Sequence, residues 1–184
     1  MGALSIVTVD PELLALKDIV LRQKAIDVRI DDEMLKLCQK IVLEMFEVMY
    51  KSDGAAIAAP QVGIPLRLVA LDPARVKFGP HVLINPVILN SSETQVGDFE
   101  GCLSLPLYTG KVYRSTEVHV QAYNLQGNLE DYQVDGWLAR VFQHEIDHLD
   151  GFLYPDRLRP EDDLVANESG ARRRALNSVA DLIE

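Results

Sequence analysis

The sequence predicts an α+β fold in which mostly antiparallel strands surround a central helix, with a further helix on the N-terminal side and another at the C-terminus. Three observations carry this. Residues 31–50, DDEMLKLCQKIVLEMFEVMY, repeat apolar side chains at three- and four-residue spacing. From there to about residue 134 the texture changes to short β-rich runs punctuated by Pro, Gly and Asn. A second helical stretch, 136–149, follows directly. With 184 residues, 48% of them hydrophobic, the chain can bury one substantial core, so residues 1–184 read as a single domain.

Each element has its own signals. In the first helix the acids Asp31, Asp32 and Glu33 sit where the helix dipole favours negative charge, and Ser52-Asp53-Gly54 ends it. The strands are RLVAL (67–71), VLINPVIL (82–89), EVHVQAYN (117–124) and LEDYQV (129–134), with LQGN (125–128) as a hairpin turn between the last two. Asp135 offers an N-cap to the second helix, and Asp150-Gly151 ends it. Beyond Pro160 the chain is polar and then weakly amphipathic through Leu176, Val179, Ala180 and Ile183, so 161–184 reads as a peripheral tail or terminal helix.

Charge and composition exclude several functions. A net charge of −10 argues against duplex DNA as a partner, because such binding rests largely on Lys and Arg neutralising phosphates. Asp10 and Glu12 interrupt the N-terminus where a secretory signal would stay apolar, and no stretch reaches about 18 uninterrupted apolar residues. A cytoplasmic chain with no membrane partner is expected. The two cysteines are expected as free thiols, Cys38 as a small core residue of the first helix and Cys102 in a different role.

On the second helix, QHEIDH places His144 and His148 four residues apart on one face with Glu145 beside them, the H-E-x-x-H pattern best known from zinc proteases. Two imidazoles at that spacing can hold one metal ion, and the carboxylate can take a proton from water on it. A catalytic site wants a third ligand. In one protease group it is a His three residues after a Gly, but here Gly151 is followed by Tyr154. A second group uses a later Glu, and Glu161 and Glu168 both lie in the polar tail. His119 alternates with Val118 and Val120 on its strand and is expected to face solvent. Cys102, in the Gly-flanked FEGCLSLP, is the preferred third ligand, since a thiolate binds Zn²⁺ or Fe²⁺ strongly.

A third stretch, GAAIAAPQVGIP (54–65), is rich in small residues and has no phosphate-loop Lys. Its small side chains would let another extended backbone lie alongside, as when a peptide adds to a sheet edge, and the Gln61 amide could donate to an oxyanion.

Taken in order and at comparable intervals, GAAIAAPQVG, EGCLS and QHEIDH resemble the three signature motifs of the peptide deformylases, metal amidases that remove the formyl group from N-terminal formyl-methionine of new polypeptides. The likeness runs from about Val20 to about Leu158. It implies one divalent metal on Cys102, His144 and His148, natively often Fe²⁺, with Zn²⁺, Ni²⁺ or Co²⁺ as alternatives. It makes Glu145 the acid and base, with the Gln61 side chain and the Leu103 backbone N–H on the oxyanion. Nascent formyl-Met polypeptides are the implied partners. Their methionine side chain would enter a pocket of Ile57, Trp137, Arg140, Val141 and His144, and their backbone would pass Gly54, Ala55, Ala56 and Gly101. Glu100 and Arg114 are expected to pair and brace EGCLS.

Two departures stand out. The family's first motif reads Gly-hydrophobic-Gly-Leu-Ala-Ala, whereas Ala55, Ala56 and Ile57 fill the second to fourth positions, so a methyl replaces a hydrogen at Ala56. A basic terminal helix that meets the ribosome in some relatives is poorly matched, since Arg172, Arg173 and Arg174 stand among several acids, and at most a weak ribosome contact is expected. The rival readings are a zinc endopeptidase and a non-catalytic metal-binding relative.

Overall fold

The computed structural model describes residues 3–14, 19–72 and 80–166. In chain order its main elements are α1 (Asp32–Lys51), β1 (Ala56–Ala58), β2 (Leu68–Leu71), β3 (His81–Ser91), β4 (Gln95–Cys102), β5 (Leu105–Ser115), β6 (Glu117–Tyr123), β7 (Leu129–Asp135), α2 (Gly136–Leu149) and β8 (Leu164–Ala166). The α+β class follows directly from this series. Helix α1 begins where Asp31 accepts the Met34 N–H at 2.9 Å, satisfying one of the donors a helix start leaves open. It buries Leu35, Cys38, Ile41, Val42, Met45 and Met49, the stripe its spacing predicts.

The strands form two antiparallel sheets, one ordered β1-β2-β3-β6-β7 and the other β4-β5-β8. The four strands expected from sequence all belong to the first sheet, within two residues of their expected ends. The turn at 125–128 is also found, with Gly127 at φ 78 and its N–H bonded to Asn124 O at 3.0 Å. The second sheet was not anticipated. Its short strand β8 falls within 161–184, where Leu164–Ala166 pair with Gly110, Thr109 and Tyr108. The expected terminal helix, with Glu168 and Arg172–Arg174, lies outside the described residues.

One further expectation is corrected at the start of α2. Asp135 holds the N-cap position, yet its side chain makes no capping bond. It is the last residue of β7, paired with Glu117, and the chain turns into the helix at Gly136, whose φ is 54 and whose N–H donates to Thr116 O at 2.8 Å. A glycine with positive φ thus makes the turn from strand into helix.

The five-stranded sheet buries both faces. Leu68, Ala70 and Ile84 meet α1, while Val69, Leu71 and Leu83 meet Phe142, Ile146 and Leu149 of α2. Alternation along β2 therefore leaves all four of its residues buried. Each large aliphatic side chain so buried contributes about 1.5–3 kcal/mol, which anchors α2 on one face and leaves its other face for chemistry. An N-terminal arm closes the assembly. Val7 N–H donates to Gln61 O, Val9 N–H to Ser104 O and Ala25 N–H to Leu149 O, each at 2.8 Å.

Candidate metal centre and substrate cleft

The free face of α2 meets the turn between β4 and β5. Cys102 ends β4 and pairs across a two-residue turn, Leu103-Ser104, with Leu105. This brings its sulfur 3.3 Å from His148 Nε2, and the ligand atoms of Cys102, His144 and His148 all lie within 4.8 Å of one another. The histidine rings stand 4.9 Å apart at 81°, so their nitrogens converge rather than stack. A tetrahedral ion about 2.3 Å from sulfur and about 2.0 Å from nitrogen would hold those atoms about 3.5 Å apart, and the Cys102–His148 pair already stands at 3.3 Å. One thiol and two imidazoles are also the right donors for Zn²⁺ or Fe²⁺. The residues therefore fit a divalent metal.

The ligands are held by a buried ionic network. Glu100 accepts from His144 Nδ1 at 2.9 Å and from Arg114 Nε and Nη2, both at 3.0 Å. Its remaining approach is taken by Arg140 Nη1 at 2.7 Å. Arg114 in turn bonds Asp147, which is clasped from outside by Arg157 at 2.6 Å. Burial alone would raise the Glu100 pKa, but His144 and Arg114 hold it well below the usual carboxylate range, so it stays charged. A charged Glu100 keeps a proton on His144 Nδ1 and leaves Nε2 to the metal, the arrangement by which an outer carboxylate sets a ligand's tautomer. His148 is 1% exposed, and burial followed by the His144 and Arg114 charges lowers its pKa well below 6.5. It is thus neutral, as a metal ligand must be.

Glu145 lies beside this cluster, 5% exposed, with Oε2 making no hydrogen bond. Burial, reinforced by the Glu100 charge and opposed by His144 and Arg114, pushes its pKa up to about 7. A carboxyl with that affinity can both accept and return a proton near neutral pH. Gln61, 2% exposed, is oriented by the Ala58 N–H, which donates to its Oε1 at 2.8 Å. Its Nε2 therefore points at Cys102 Sγ and Ser104 Oγ, 3.4 Å from each.

A cleft of about 350 Å³ opens over these groups. It is lined by Gly54, Ala55, Ala56, Gln61, Gly101, Cys102, Leu103, Trp137, Arg140, Val141, His144 and Glu145, so nearly all of the residues singled out in the sequence meet there. A larger groove of about 570 Å³ runs along β3, β6 and β7 and holds none of them, so size does not locate the chemistry. His148 does not line it, although its ring belongs to the ligand cluster, and neither does Ile57. Ile57 is 0% exposed, on the α1 side of the sheet among Met45, Met49 and Leu68, and cannot line the cleft, because Ala56 faces the other way along β1. Arg140 lines the cleft but spends its guanidinium on Glu100, Val112 O at 2.8 Å and Val96 O at 2.6 Å. His119 pairs with Asp131 at 2.8 Å on the far sheet, away from the ligands.

Sequence reasoning missed three contributors. Phe99, 62% exposed, stands at the cleft mouth. Asp147 anchors Arg114 from within the H-E-x-x-H motif itself, and its charge among buried neighbours was the available signal. Tyr154, noted only as the wrong residue for a ligand, is 1% exposed and lies nearly parallel to His144, with ring centroids 6.3 Å apart.

Comparison with known proteins agrees with this geometry. The sequence model of the polypeptide deformylase family matches residues 11–163. A peptide deformylase of Desulfitobacterium hafniense is 44% identical over 140 residues, covering 76% of this chain and 89% of that one. One from Picosynechococcus is 42% identical over 173 residues, covering 91% and 89%. Among solved structures, a Synechococcus elongatus peptide deformylase in complex with actinonin superposes with TM-score 0.74 at 38% identity, covering 88% of this chain and 81% of that one. The Thermotoga maritima peptide deformylase gives 0.74 at 37%, covering 87% and 100%. The chain belongs to the polypeptide deformylase family and is a metal-dependent hydrolase of that kind.

Proposed function

We propose that Cys102, His144 and His148 hold one divalent ion, natively Fe²⁺, and that Glu145, Gln61 and the Leu103 N–H carry out deformylation of N-terminal formyl-methionine on newly made chains in the cytoplasm. The observation that supports this most is the convergence of three ligand atoms within 4.8 Å beside a buried carboxyl that has an unpartnered oxygen. When bound, the metal supplies Lewis acidity that lowers the pKa of water. Glu145 takes the proton of the attacking water at Oε2, and the water oxygen adds to the formyl carbon. As the carbonyl oxygen becomes an oxyanion, Gln61 Nε2 and the Leu103 N–H donate to it. No backbone hydrogen bond outside helices and strands uses that N–H among the described residues. Glu145 then returns the proton to the leaving nitrogen as its bond to carbon breaks, and formate and a free methionyl amine result.

The peptide lies between two sheet edges. Strand β1 ends one sheet and β4 the other, and both border the cleft, so an extended chain can pair with backbone on either side. Trp137, Arg140 and Val141 form the wall for the methionine side chain. Ala56 is the first residue of β1, where extended backbone needs no glycine, so its methyl narrows the cleft without straining the strand.

The test is formate release from formyl-Met-Ala-Ser by protein prepared anaerobically with Fe²⁺, beside Glu145→Ala. Formate from the parent and none from the variant supports the assignment; no formate from the metal-loaded parent overturns it. Formate release retained in Cys102→Ala would move the third ligand elsewhere, whereas cleavage of internal peptide bonds that survives Cys102→Ala would favour an endopeptidase.

A further inference from the structure

The closure of α1 explains why position 54 is glycine. Asp53 adopts φ 55, its N–H donates to Tyr50 O at 3.1 Å, and the Gly54 N–H donates to Met49 O at 2.9 Å. This is the Schellman pattern, in which the residue at the place of Gly54 ordinarily sends an apolar side chain back against the helical residue that Met49 occupies. Gly54 has none to send. A Cβ built on it would stand 2.9 Å from Leu103 Cδ1 and 3.3 Å from Met49 Cγ, so the space is already filled by Leu103, which reaches across from the turn between β4 and β5. Left-handed backbone does not account for the glycine, since the positive-φ glycines among the described residues are Gly63, Gly127, Gly136 and Gly151. Nor is the whole run closed to methyl groups, as Ala55 and Ala56 come next along the same cleft wall.

We infer that Gly54 is a positioning residue: its missing side chain seats Leu103, locks the Cys102–Leu105 turn onto the end of α1, and so fixes the Leu103 N–H where the oxyanion forms. This rests on the reading that the Leu103 N–H meets the oxyanion, and it gives Gly54 a role beyond leaving room for substrate backbone. Leu103 packs against the α1-side core that holds Met49, and the same Cβ would also stand 3.3 Å from Met49 O, so a methyl at position 54 has helix backbone behind it and presses on Leu103 and its turn.

Four metal-loaded proteins test it: the parent, Gly54→Ala, Leu103→Ala and the double variant, each measured for kcat, KM, metal content and melting temperature. Gly54→Ala is expected to lower kcat about 30- to 100-fold with KM changed less than about threefold, as for a misplaced catalytic group. In the Leu103→Ala background the emptied seat accepts the methyl, so the same substitution should cost less than about threefold. An equal loss in both backgrounds, a loss carried by KM, or full kcat in Gly54→Ala would overturn the inference. Leu103→Ala leaves the cap of α1 untouched and should by itself lower kcat about tenfold, with Leu103→Met recovering most of it. Unchanged kcat in Leu103→Ala overturns the proposal even if Gly54→Ala does not fold. If the parent itself releases no formate, the assigned activity fails instead.

Discussion

Replacing Glu145 by Gln should abolish most of the activity and, in the metal-free protein, remove a pH-dependent weakness of the fold. Burial is the main cause that pushes the Glu145 carboxyl from 4.5 to about 7. A group whose folded pKa is raised stabilises the fold while it keeps its proton. The contribution is complete below 4.5 and is lost as pH rises through about 7. At about 1.4 kcal/mol per pH unit, the interval from 4.5 to about 7 corresponds to about 3 kcal/mol. For a chain of this size that is about 6–12 °C in melting temperature. The assay is urea and thermal unfolding of metal-free parent and Glu145→Gln at pH 4.5 and pH 8. Taking the difference between the two proteins removes the shared contribution of His148, whose lowered pKa makes stability rise with pH over an overlapping range, and retains the coupling to His144, whose raised pKa owes part of its shift to the Glu145 charge. Glu100, held low, acts at more acidic pH and does not interfere. The parent should lose about 3 kcal/mol more than the variant between these pH values, and equal losses within about 1 kcal/mol would refute the reasoning. With metal bound, the variant should lose about 100- to 10,000-fold in kcat, the span expected when a general acid–base is removed.

Two other perturbations probe the support around the ligands. Glu100→Gln leaves the buried Arg114 and the partly buried Arg140 short of their counter-charge and is expected to cost about 3–5 kcal/mol at pH 7 by chemical denaturation. It should also weaken metal binding about 10- to 100-fold in chelator competition, because His144 loses its orienting carboxylate. Tyr154→Phe removes a buried hydroxyl that has no hydrogen-bond partner among the described residues while keeping the ring against His144, so stability should rise by about 1 kcal/mol, and a loss of that size would show that the hydroxyl has a partner.

What could be read in the sequence was whatever is encoded locally. The helix with His144 and His148 declared itself because two ligands and a base share one face at fixed spacing, and the burial of α1 followed its apolar stripe. Strands β3, β6 and β7 showed themselves by apolar runs and alternation. Strand β4 did not, because only Glu100 along it is buried, so it has no apolar face to alternate, and glycines at 97 and 101 dilute its β character. The ionic network was illegible for a different reason. Glu100 is separated from Arg140 by 40 positions and from His144 by 44, and only the folded sheet edge brings them together. The displacement of Ile57 from cleft to core followed from register, since one step along β1 exchanges the two faces of the sheet. Cys102 was reached through its motif, and its 3.3 Å approach to His148 depends on the turn that β4 and β5 make.

The N-terminal arm bears on the order in which this molecule can be assembled. Its residues are made before their partners, since Val7 pairs with Gln61, Val9 with Ser104 and Ala25 with Leu149, each a contact spanning tens of residues or more. The arm can therefore dock only in steps, as Gln61, Ser104 and Leu149 become available in turn, and its Ala25 contact cannot form before the end of α2 has been made. Such long loops close slowly. The brace around Gln61 and the Cys102 turn is thus complete only once Ser104 has been made, and the arm gains its last anchor only with Leu149.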